Sequence, residues 1–297
     1  FFVSLVSHNS HSYLFNDMRD SLKRKIEQSI KLLQSYDIFC KDRYPIELAY
    51  SGGKDSDVIL SLAKEANIDF RPVHKMTTID PPGTIKHVRD MGVEIRKPHL
   101  SFFQLIEKKG LPSRRMRFCC EKLKEYKILD KVIVGVRASE SRKRKDLYKE
   151  PSNCRGSQSN AVEQILPILY WTDQDIQDYI ENRNIQCAPI YYDTKGNFCV
   201  KRRLGCMCCP LLGYKYRIEE FRRYPGIAKA YIRSCAIYLK NHQNSKVYSY
   251  NLGDPYRFFL RDLFPYTNKQ WEYVCSGLFG SPDFQSVFNQ LIINKDK

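Results

Sequence analysis

The stretch "SGGKDS" at residues 51–56 combines residue types that bind phosphate. It follows an apolar run that begins at Ile46 and precedes a segment with helical periodicity, so we predict a strand, a glycine turn and a helix start. The unpaired N–H groups and the dipole of a helix N-terminus favour an anion, and glycines let the backbone approach phosphate oxygens. The spacing differs from G-x-x-x-x-G-K-[ST], which argues against the common NTPase P-loop. A glycine-rich connection without a ligand is the alternative.

Paired cysteines form the second group of residues that could do chemistry. Four thiolates from two loops can enclose a zinc ion or an iron–sulfur cluster. Adjacent cysteines cannot easily both bind one small ion, but they can reach two irons of a cubane. We therefore predict a [4Fe-4S] cluster, and its ligands would be Cys119, Cys120, Cys206 and Cys209. Zinc, a Cys206-x-Cys208 pair and unligated buried cysteines remain alternatives.

The segments around these motifs alternate between strand and helix patterns. The strands are predicted at 46–50, 70–76, 93–96 and 131–137, and the last is apolar enough to be buried on both faces. Helices are predicted at 11–40, 55–66, after the "DPPG" turn, at 102–108, and after an N-cap at Thr172 or Asp173. The polar, basic segment 138–160 is predicted to be a mobile loop. The pattern indicates an α/β fold with a parallel twisted sheet and helices on both faces.

Composition limits the classes of protein that this chain could represent. The chain has 297 residues, 42% of them apolar and 28% charged, and no apolar run approaches the length of a membrane span. We expect a cytoplasmic protein with no membrane partner. The chain begins with Phe1 in a segment too polar for a signal peptide, so we expect a fragment without its natural start. A formal net charge of +16 makes an anionic partner plausible, although a lysine-rich proteome would give the same excess.

Six motifs in order resemble those of the phosphoadenosine phosphosulfate (PAPS) reductase family, within the adenine-nucleotide alpha hydrolases and PP-loop ATP pyrophosphatases. The loop "SGGKDS" resembles the pyrophosphate-binding SGGxDS, and the other matches are "MTTIDPP", "CCEKLK", "GVRASESRKR", "ILYWTDQDIQDYI" and "APIYYDTKG…LGCMCCP". The resemblance implies a Rossmann-like catalytic domain at 45–210. A helical segment at 1–44 precedes it, and an aromatic-rich helical module at 211–297 follows it.

The resemblance also implies roles for individual residues. The pyrophosphate loop would consist of Ser51, Gly52, Gly53, Lys54, Asp55 and Ser56. The residues that contact the nucleotide elsewhere would be Thr78, Asp80, Arg137 and Arg142. Lys54, Asp55 and Arg137 would be catalytic, and Lys124 would neighbour the cluster. The assignment of Arg137 also has a physical basis, because a guanidinium at the carboxyl end of a parallel strand points into the crevice where such sheets bind ligands.

Two activities within the resembled family have to be separated. A sulfonucleotide reductase attacks PAPS or adenylyl sulfate with a C-terminal cysteine. The nearest candidate here is Cys275 in "WEYVCSGLFG", which lacks the Gly directly after the Cys and the His. An ATP pyrophosphatase needs an intact loop, and this chain has one. We therefore predict AMP-forming cleavage of ATP with Mg²⁺, followed by sulfur transfer, with PAPS or adenylyl sulfate reduction as the alternative.

The partners follow from the activity. The chain resembles the iron–sulfur ATP pyrophosphatases of DNA phosphorothioation systems and tRNA-thiolating enzymes, which implies a DNA or tRNA acceptor. The sulfur would come from a donor protein such as a cysteine desulfurase, and a reductase would instead use thioredoxin. A non-catalytic nucleotide- or nucleic-acid-binding module is the third hypothesis.

Overall fold

The computed structural model describes residues 18–38, 45–126, 131–155, 162–264, 268–275 and 282–293. The chain divides into two compact units. The first comprises Phe1–Lys75, Pro82–Arg96 and Lys127–Leu204, and the second comprises Met76–Pro81, Lys97–Tyr126 and Gly205–Lys297. Each unit is therefore assembled from three separate stretches of sequence. The division into segments 1–44, 45–210 and 211–297 stays a prediction.

The first unit contains a sheet with described helices around it. Its strands are β1 (Ile46–Ala49), β2 (Phe70–Lys75), β3 (Glu94–Arg96), β4 (Lys131–Val134), β5 (Ser152–Arg155) and β6 (Val162–Ile165). Its helices are α1 (Asp20–Ile38), α2 (Lys54–Glu65), α3 (Thr84–Asp90), α6 (Arg142–Leu147) and α7 (Asp173–Asn182), with 3-10 turns at Ala138–Glu140 and Pro189–Tyr191. The predicted α/β class is confirmed.

The sheet runs in the order β3-β2-β1-β4-β6-β5, with five parallel strands and β5 antiparallel to β6. Strand β1 lies inside the sheet, where Leu48 pairs with Pro72 on one side and Ile133 on the other. The side chains of Ile46, Glu47 and Leu48 in this strand are buried, and that of Ala49 is half-buried. The loop after β1 therefore leaves the sheet from a rigid, central position at the carboxyl ends of parallel strands, where such folds bind ligands.

The second unit is helical and rich in aromatic side chains. Its described helices are α4 (Phe102–Lys109), α5 (Phe118–Leu123), α8 (Tyr214–Arg223), α9 (Pro225–Asn241), α10 (Lys246–Asn251), α11 (Pro255–Leu263), α12 (Asn268–Cys275) and α13 (Phe284–Phe288), followed by a π turn at Asn289–Ile293. Tyr231 packs edge-on against Phe102, Phe221 and Phe259 at centroid distances of 5.2 to 5.8 Å. The predicted helical additions at both ends of the chain are confirmed where the structure describes them.

The prediction of a mobile loop at 138–160 is wrong for its described part. The side chain of Ser141 accepts the backbone N–H of Arg144 (3.2 Å) and so caps α6. Residues 152–155 then form β5, which lies at the edge of the sheet and pairs only with β6 among the described strands. An edge strand needs little apolar character, which is why its polar sequence did not indicate a strand. The predicted strand 131–137 ends earlier, at Val134.

Among the helices that the structure describes, none has both the length and the apolar character needed to cross a membrane.

Candidate active site

The backbone of the 51–56 loop forms a tight turn before α2. Gly52 has a left-handed φ of +79°, and a Cβ on it would lie 3.0 Å from the Cγ2 of Thr84. Gly53 is the N-cap of α2 and no side chain caps the helix, while the hydroxyl of Ser56 donates to the carbonyl of Gly53 (2.6 Å). Ser51 is exposed beside Ser56, with 3.2 Å between the hydroxyl oxygens. The turn thus presents an uncapped helix N-terminus, which favours an anion.

Lys54 lies at the first position of α2 with only 4% of its surface exposed. Its Nζ is 3.1 Å from Oδ2 of Asp55 and 5.5 Å from the centre of the Tyr191 ring. The hydroxyl of Tyr191 accepts the backbone N–H of Leu204 (3.3 Å), and burial raises the pKa of Tyr191. The ring therefore holds the lysine from one side. Sequence reasoning missed Tyr191 as a site residue, although the motif "APIYYDTKG" contains it.

Arg137 lies deep beside the loop rather than at the surface. Its side chain is 1% exposed, and its Nε donates to Oδ1 of Asp55 at 2.7 Å. The other nitrogens donate to Oδ1 of Asp173 (2.8 Å), the hydroxyl of Ser139 (3.0 Å) and the carbonyl of Trp171 (3.5 Å). Arg137 thus joins the 51–56 loop to the start of α7, and each of its three nitrogens donates to a protein group.

Arg142 and Arg144 differ in their relation to the loop. Arg142, the predicted anion contact, is exposed at the first position of α6. Arg144 forms an ion pair with Glu140. Burial lowers the pKa of Arg144. The positive charge of Arg203 lowers it further, whereas the negative charge of Asp55 acts in the opposite direction. The charge of Arg144 therefore interacts with the loop. Sequence reasoning placed both residues in one basic run and did not single out Arg144.

A buried polar network lies next to the first turn of α2. Oδ1 of Asp57 accepts a hydrogen bond from the hydroxyl of Tyr50 and lies 2.9 Å from Nε2 of His87. The Tyr50 hydroxyl is also 3.0 Å from the same ring nitrogen. Burial, and then the nearby Asp57, raises the pKa of Cys187, so the thiol stays neutral beside this carboxylate. The network supports the loop from within the first unit.

The predicted nucleotide contacts Thr78 and Asp80 belong to the second unit. The hydroxyl of Thr78 accepts the N–H of the first residue of α4 (2.9 Å), and the carboxylate of Asp80 accepts the N–H (2.9 Å) and the hydroxyl (2.7 Å) of Thr77. The N–H of Met207 donates to the carbonyl of Ile79 (2.8 Å), which places this turn next to the second cysteine segment.

The four predicted ligands all lie in the second unit, and their thiols interact electrostatically: Cys119, Cys120, Cys206 and Cys209. A hydrogen bond from Cys119 lowers the pKa of Cys120 to about 6, and Arg117 adds to this effect with its guanidinium 3.9 Å from the sulfur. Burial alone would lower the pKa of Lys124, but the neighbouring Cys206, Cys120 and Cys209 outweigh this effect and raise the pKa. Lys124 therefore stays charged beside these thiols.

Cys208 differs from its neighbours because it is fully buried and its φ of +52° is left-handed. Its N–H donates to a carboxylate oxygen of Glu220 (2.5 Å), and its carbonyl accepts the hydroxyl of Tyr231 (3.1 Å). Burial raises the pKa of its thiol to about 12. These contacts give Cys208 a structural place in the turn, apart from the four predicted ligands.

In the described part of the chain, no three His, Cys, Asp or Glu side chains converge in a way that could hold a single metal ion. The side chain of Cys275, the candidate nucleophile of a reductase, lies outside the described residues.

Relatives extend over most of this chain. An uncharacterised protein of Methanocaldococcus jannaschii, MJ0973, is 30% identical over 232 residues, which is 72% of this chain and 53% of the relative. A second, MJ0066 of the same organism, is 28% identical over 219 residues, which is 68% of this chain and 44% of the relative. The chain thus spans about half the length of the curated relatives it matches.

Solved structures of low sequence identity share part of the fold. FMN adenylyltransferase of Candida glabrata is 14% identical, with a TM-score of 0.44 over 61% of this chain and 64% of that one. PAPS reductase of Candida auris, in a phosphate complex, is 15% identical, with a TM-score of 0.38 over 58% of this chain and 90% of that one. These TM-scores are too low to carry a functional argument.

A match to the sequence profile of one domain shows to which family the chain belongs. The sequence profile described as "Phosphoadenosine phosphosulfate reductase domain" matches residues 45–212, which is more than half of the chain. The match contains the 51–56 loop and both cysteine segments, so the family predicted from the six motifs is confirmed. The protein therefore belongs to the phosphoadenosine phosphosulfate reductase domain family.

Proposed function

We propose that the protein binds ATP, cleaves it between the α- and β-phosphates, and uses the adenylated acceptor for sulfur transfer. The observation that carries this proposal is the loop at residues 51–56, whose glycines and uncapped helix N-terminus can receive a pyrophosphate group. A sulfonucleotide has no pyrophosphate group, so the intact loop favours ATP.

The residues around the loop have separate tasks in this reaction. Lys54 would neutralise the leaving pyrophosphate, and the N–H groups at the start of α2 would stabilise its charge as it develops. Asp55 would supply one carboxylate to the Mg²⁺ that enters with the nucleotide, since Mg²⁺ is usually held by one or two carboxylates and substrate phosphates. Arg137 is a positioning residue, because its Nε donates to Oδ1 of Asp55 (2.7 Å) and a terminal nitrogen donates to Oδ1 of Asp173 (2.8 Å).

The proposal includes a [4Fe-4S] cluster at the cysteine group, with zinc as the alternative. Among the described side chains no three are placed to hold a single ion, and the choice of a cluster rests on the adjacent Cys119 and Cys120, which can reach two irons of a cubane. The ligands would be the four cysteines whose thiols interact electrostatically, Cys119, Cys120, Cys206 and Cys209. When bound, the cluster would relay sulfur.

Pyrophosphate release from ATP tests the proposed reaction. We expect release by the wild-type protein with Mg²⁺ and a large loss in Lys54→Ala and Asp55→Ala. Lys64→Ala is the matched control, because Lys64 is an exposed lysine of the same helix. Wild-type protein that binds ATP and releases no pyrophosphate, with any candidate acceptor present, would leave the non-catalytic module as the better description.

Anaerobic purification tests the cluster. We expect a brown protein with iron and sulfide in equal amounts, and Cys119→Ser and Cys206→Ser should lose both. Cys235→Ser is the control, because Cys235 is buried elsewhere in the second unit. A colourless protein with one zinc per chain would contradict the cluster.

The family match favours a second candidate function, which is reduction of PAPS or adenylyl sulfate to sulfite with thioredoxin. Sulfite release that disappears in Cys275→Ser would establish the reductase in place of the pyrophosphatase. A side-by-side assay of ATP and the two sulfonucleotides separates the two functions.

A further inference from the structure

The hydroxyl of Tyr191 lies directly against the 51–56 loop at Gly53. A Cβ on Gly53 would lie 3.1 Å from the hydroxyl oxygen of Tyr191 and 3.3 Å from Oγ of Ser51. The backbone of Gly53 has a φ of −92° and a ψ of 159°, which any residue adopts, so its conformation does not require glycine. The missing side chain instead allows a ligand atom to approach the backbone of Gly53 closely, between the two hydroxyls.

The two serines of the loop use their hydroxyl protons within the loop itself. Oγ of Ser51 accepts the N–H of Gly53 (3.3 Å), and the same hydroxyl donates to Oγ of Ser56 (3.2 Å). The hydroxyl of Ser56 donates in turn to the carbonyl of Gly53 (2.6 Å). Both serine protons therefore have protein acceptors, and these bonds stabilise the turn.

The hydroxyl proton of Tyr191, by contrast, has no acceptor among the residues that the structure describes. The oxygen accepts the N–H of Leu204 (3.3 Å), and Tyr191 is only 2% exposed. Burial raises the pKa of Tyr191, although the backbone N–H groups of Lys54 and Leu204 act in the opposite direction, so the hydroxyl stays protonated at neutral pH. A buried donor without an acceptor is unfavourable, and an oxygen of a bound ligand would supply that acceptor.

The ring of Tyr191 is fixed in position by contacts within the first unit. Its backbone N–H donates to the carbonyl of Ala188 (3.0 Å), and its carbonyl accepts the N–H of Cys199 (2.8 Å). The centre of the ring lies 6.1 Å from the centre of the Phe198 ring and 5.5 Å from Nζ of Lys54. Tyr191 therefore holds a neutral donor near the cation of the loop, and a ligand could use both without a rearrangement of the protein.

We propose that the hydroxyl of Tyr191 donates a hydrogen bond to an oxygen of the pyrophosphate group held by the 51–56 loop. The identity of this ligand rests on the proposed function. A hydrogen bond from a neutral hydroxyl to an anionic oxygen is stronger than one between two neutral groups, so its loss should be measurable as affinity. AMP lacks the pyrophosphate group. Tyr191 should therefore contribute to the binding of ATP and pyrophosphate and not to the binding of AMP.

Titration calorimetry with inorganic pyrophosphate and Mg²⁺ tests this contact. The test variant is Tyr191→Phe, which keeps the ring beside Lys54 and removes only the hydroxyl. Its Kd for pyrophosphate should rise about 10- to 100-fold, as expected for the loss of one hydrogen bond to a charged group. Tyr192→Phe is the matched control, because the hydroxyl of Tyr192 also accepts a backbone N–H, that of Cys187 (3.1 Å). Its Kd should equal that of the wild type.

Binding of AMP by the same variants separates a lost contact from a damaged site. Tyr191→Phe should bind AMP as the wild type does, because AMP has no group that reaches this hydroxyl in the proposed arrangement. The proposal is overturned if Tyr191→Phe binds pyrophosphate as tightly as the wild type, or if its affinities for AMP and pyrophosphate fall by the same factor.

Gly53→Ala tests the same space without changing the tyrosine. Its backbone angles suit alanine, but the added methyl group would lie between the hydroxyls of Tyr191 and Ser51 and exclude a phosphate oxygen. Pyrophosphate binding should weaken about tenfold or more, and AMP binding should stay unchanged. Unchanged pyrophosphate binding in Gly53→Ala would show that the ligand does not enter this space and would also overturn the proposal.

Pyrophosphate release from ATP distinguishes this inference from the proposed function. If the wild type releases pyrophosphate and Tyr191→Phe has the same kcat/KM and the same Kd, the inference is refuted and the function stands. If pyrophosphate binding depends on the Tyr191 hydroxyl but ATP is not cleaved, the inference stands and the function is refuted. A wild-type protein that does not bind pyrophosphate would overturn both.

Discussion

Replacing Arg137 with alanine should destabilise the first unit, because the guanidinium joins two carboxylates while it is almost wholly buried. The bond to Asp55, a carboxylate that is 17% exposed, should contribute about 1.5 to 3 kcal/mol, as charge-assisted hydrogen bonds do. The pair with Asp173 should contribute less than about 1 kcal/mol, because that carboxylate is 56% exposed and solvent screens it. In the Arg137→Ala variant the carbonyl of Trp171 would still accept a hydrogen bond from the hydroxyl of Ser139 (2.9 Å), so its loss of the arginine adds no further term.

Together these contributions amount to about 3 kcal/mol of the free energy of unfolding. Urea unfolding at neutral pH, followed by circular dichroism, measures this difference. Arg19→Ala is the control, because Arg19 also pairs with two carboxylates but is 47% exposed, so its loss should cost less than about 1 kcal/mol. Arg137→Lys keeps the positive charge but loses the planar guanidinium, so its loss of unfolding free energy should lie between those of Arg137→Ala and Arg19→Ala.

A double-mutant cycle identifies the source of the effect. Arg137→Ala and Asp55→Ala together should show a coupling energy of more than about 1 kcal/mol, since the two side chains are in direct contact. If Arg137→Ala and Arg19→Ala had equal effects on unfolding, or if the coupling with Asp55 were absent, the argument that Arg137 positions Asp55 would be refuted.

Gly52→Ala should lower the free energy of unfolding in urea more than Gly196→Ala does. Both positions have a left-handed φ, which costs an alanine about 1 to 2 kcal/mol, but only at Gly52 would the added Cβ also lie 3.0 Å from Thr84. Equal costs would contradict the close approach. Burial alone would raise the pKa of Asp175, but hydrogen bonds from Lys25 and Thr172 outweigh it and lower that pKa. The stabilisation is therefore present above the unfolded pKa near 3.9 and is lost as the pH falls through the folded pKa, so the effect of Asp175→Asn on unfolding should shrink below about pH 4; an effect that did not change with pH would refute this assignment. Tyr50→Phe should cost about 1 to 3 kcal/mol by removing a donor from the buried Asp57, and a neutral result would show that His87 alone satisfies that oxygen.

The parts of the fold that local sequence determines were predictable. Strand β1, the glycine turn and α2 follow from an apolar run, two glycines and a helical period within twenty residues. The N-cap of α7 was predicted at Thr172 or Asp173, and it is Thr172, with Asp175 completing the capping box. Such signals lie within a few residues of the structure they specify.

The parts that depend on distant contacts were not predictable. Which arginine of "RKRK" faces the loop depends on where α6 begins, because two positions along a helix turn a side chain by about 200°. The cap at Ser141 sets that start, and with it the position of Arg144, which pairs with Glu140, the residue whose carboxylate also accepts the N–H of Arg137 (3.5 Å). Tyr191 reaches Lys54 across more than one hundred residues, which no local pattern indicates.

The turn at Cys208 depends on residues that lie outside the segment matched by the family profile. The left-handed backbone of Cys208 costs about 1 to 2 kcal/mol, and Glu220 and Tyr231, which hold its N–H and carbonyl, lie beyond residue 212, where the family match ends. A chain cut at that boundary would keep every predicted ligand and lose the two groups that shape the turn. Helices α8 and α9 are therefore part of what shapes the cysteine turn, although they lie outside the family match.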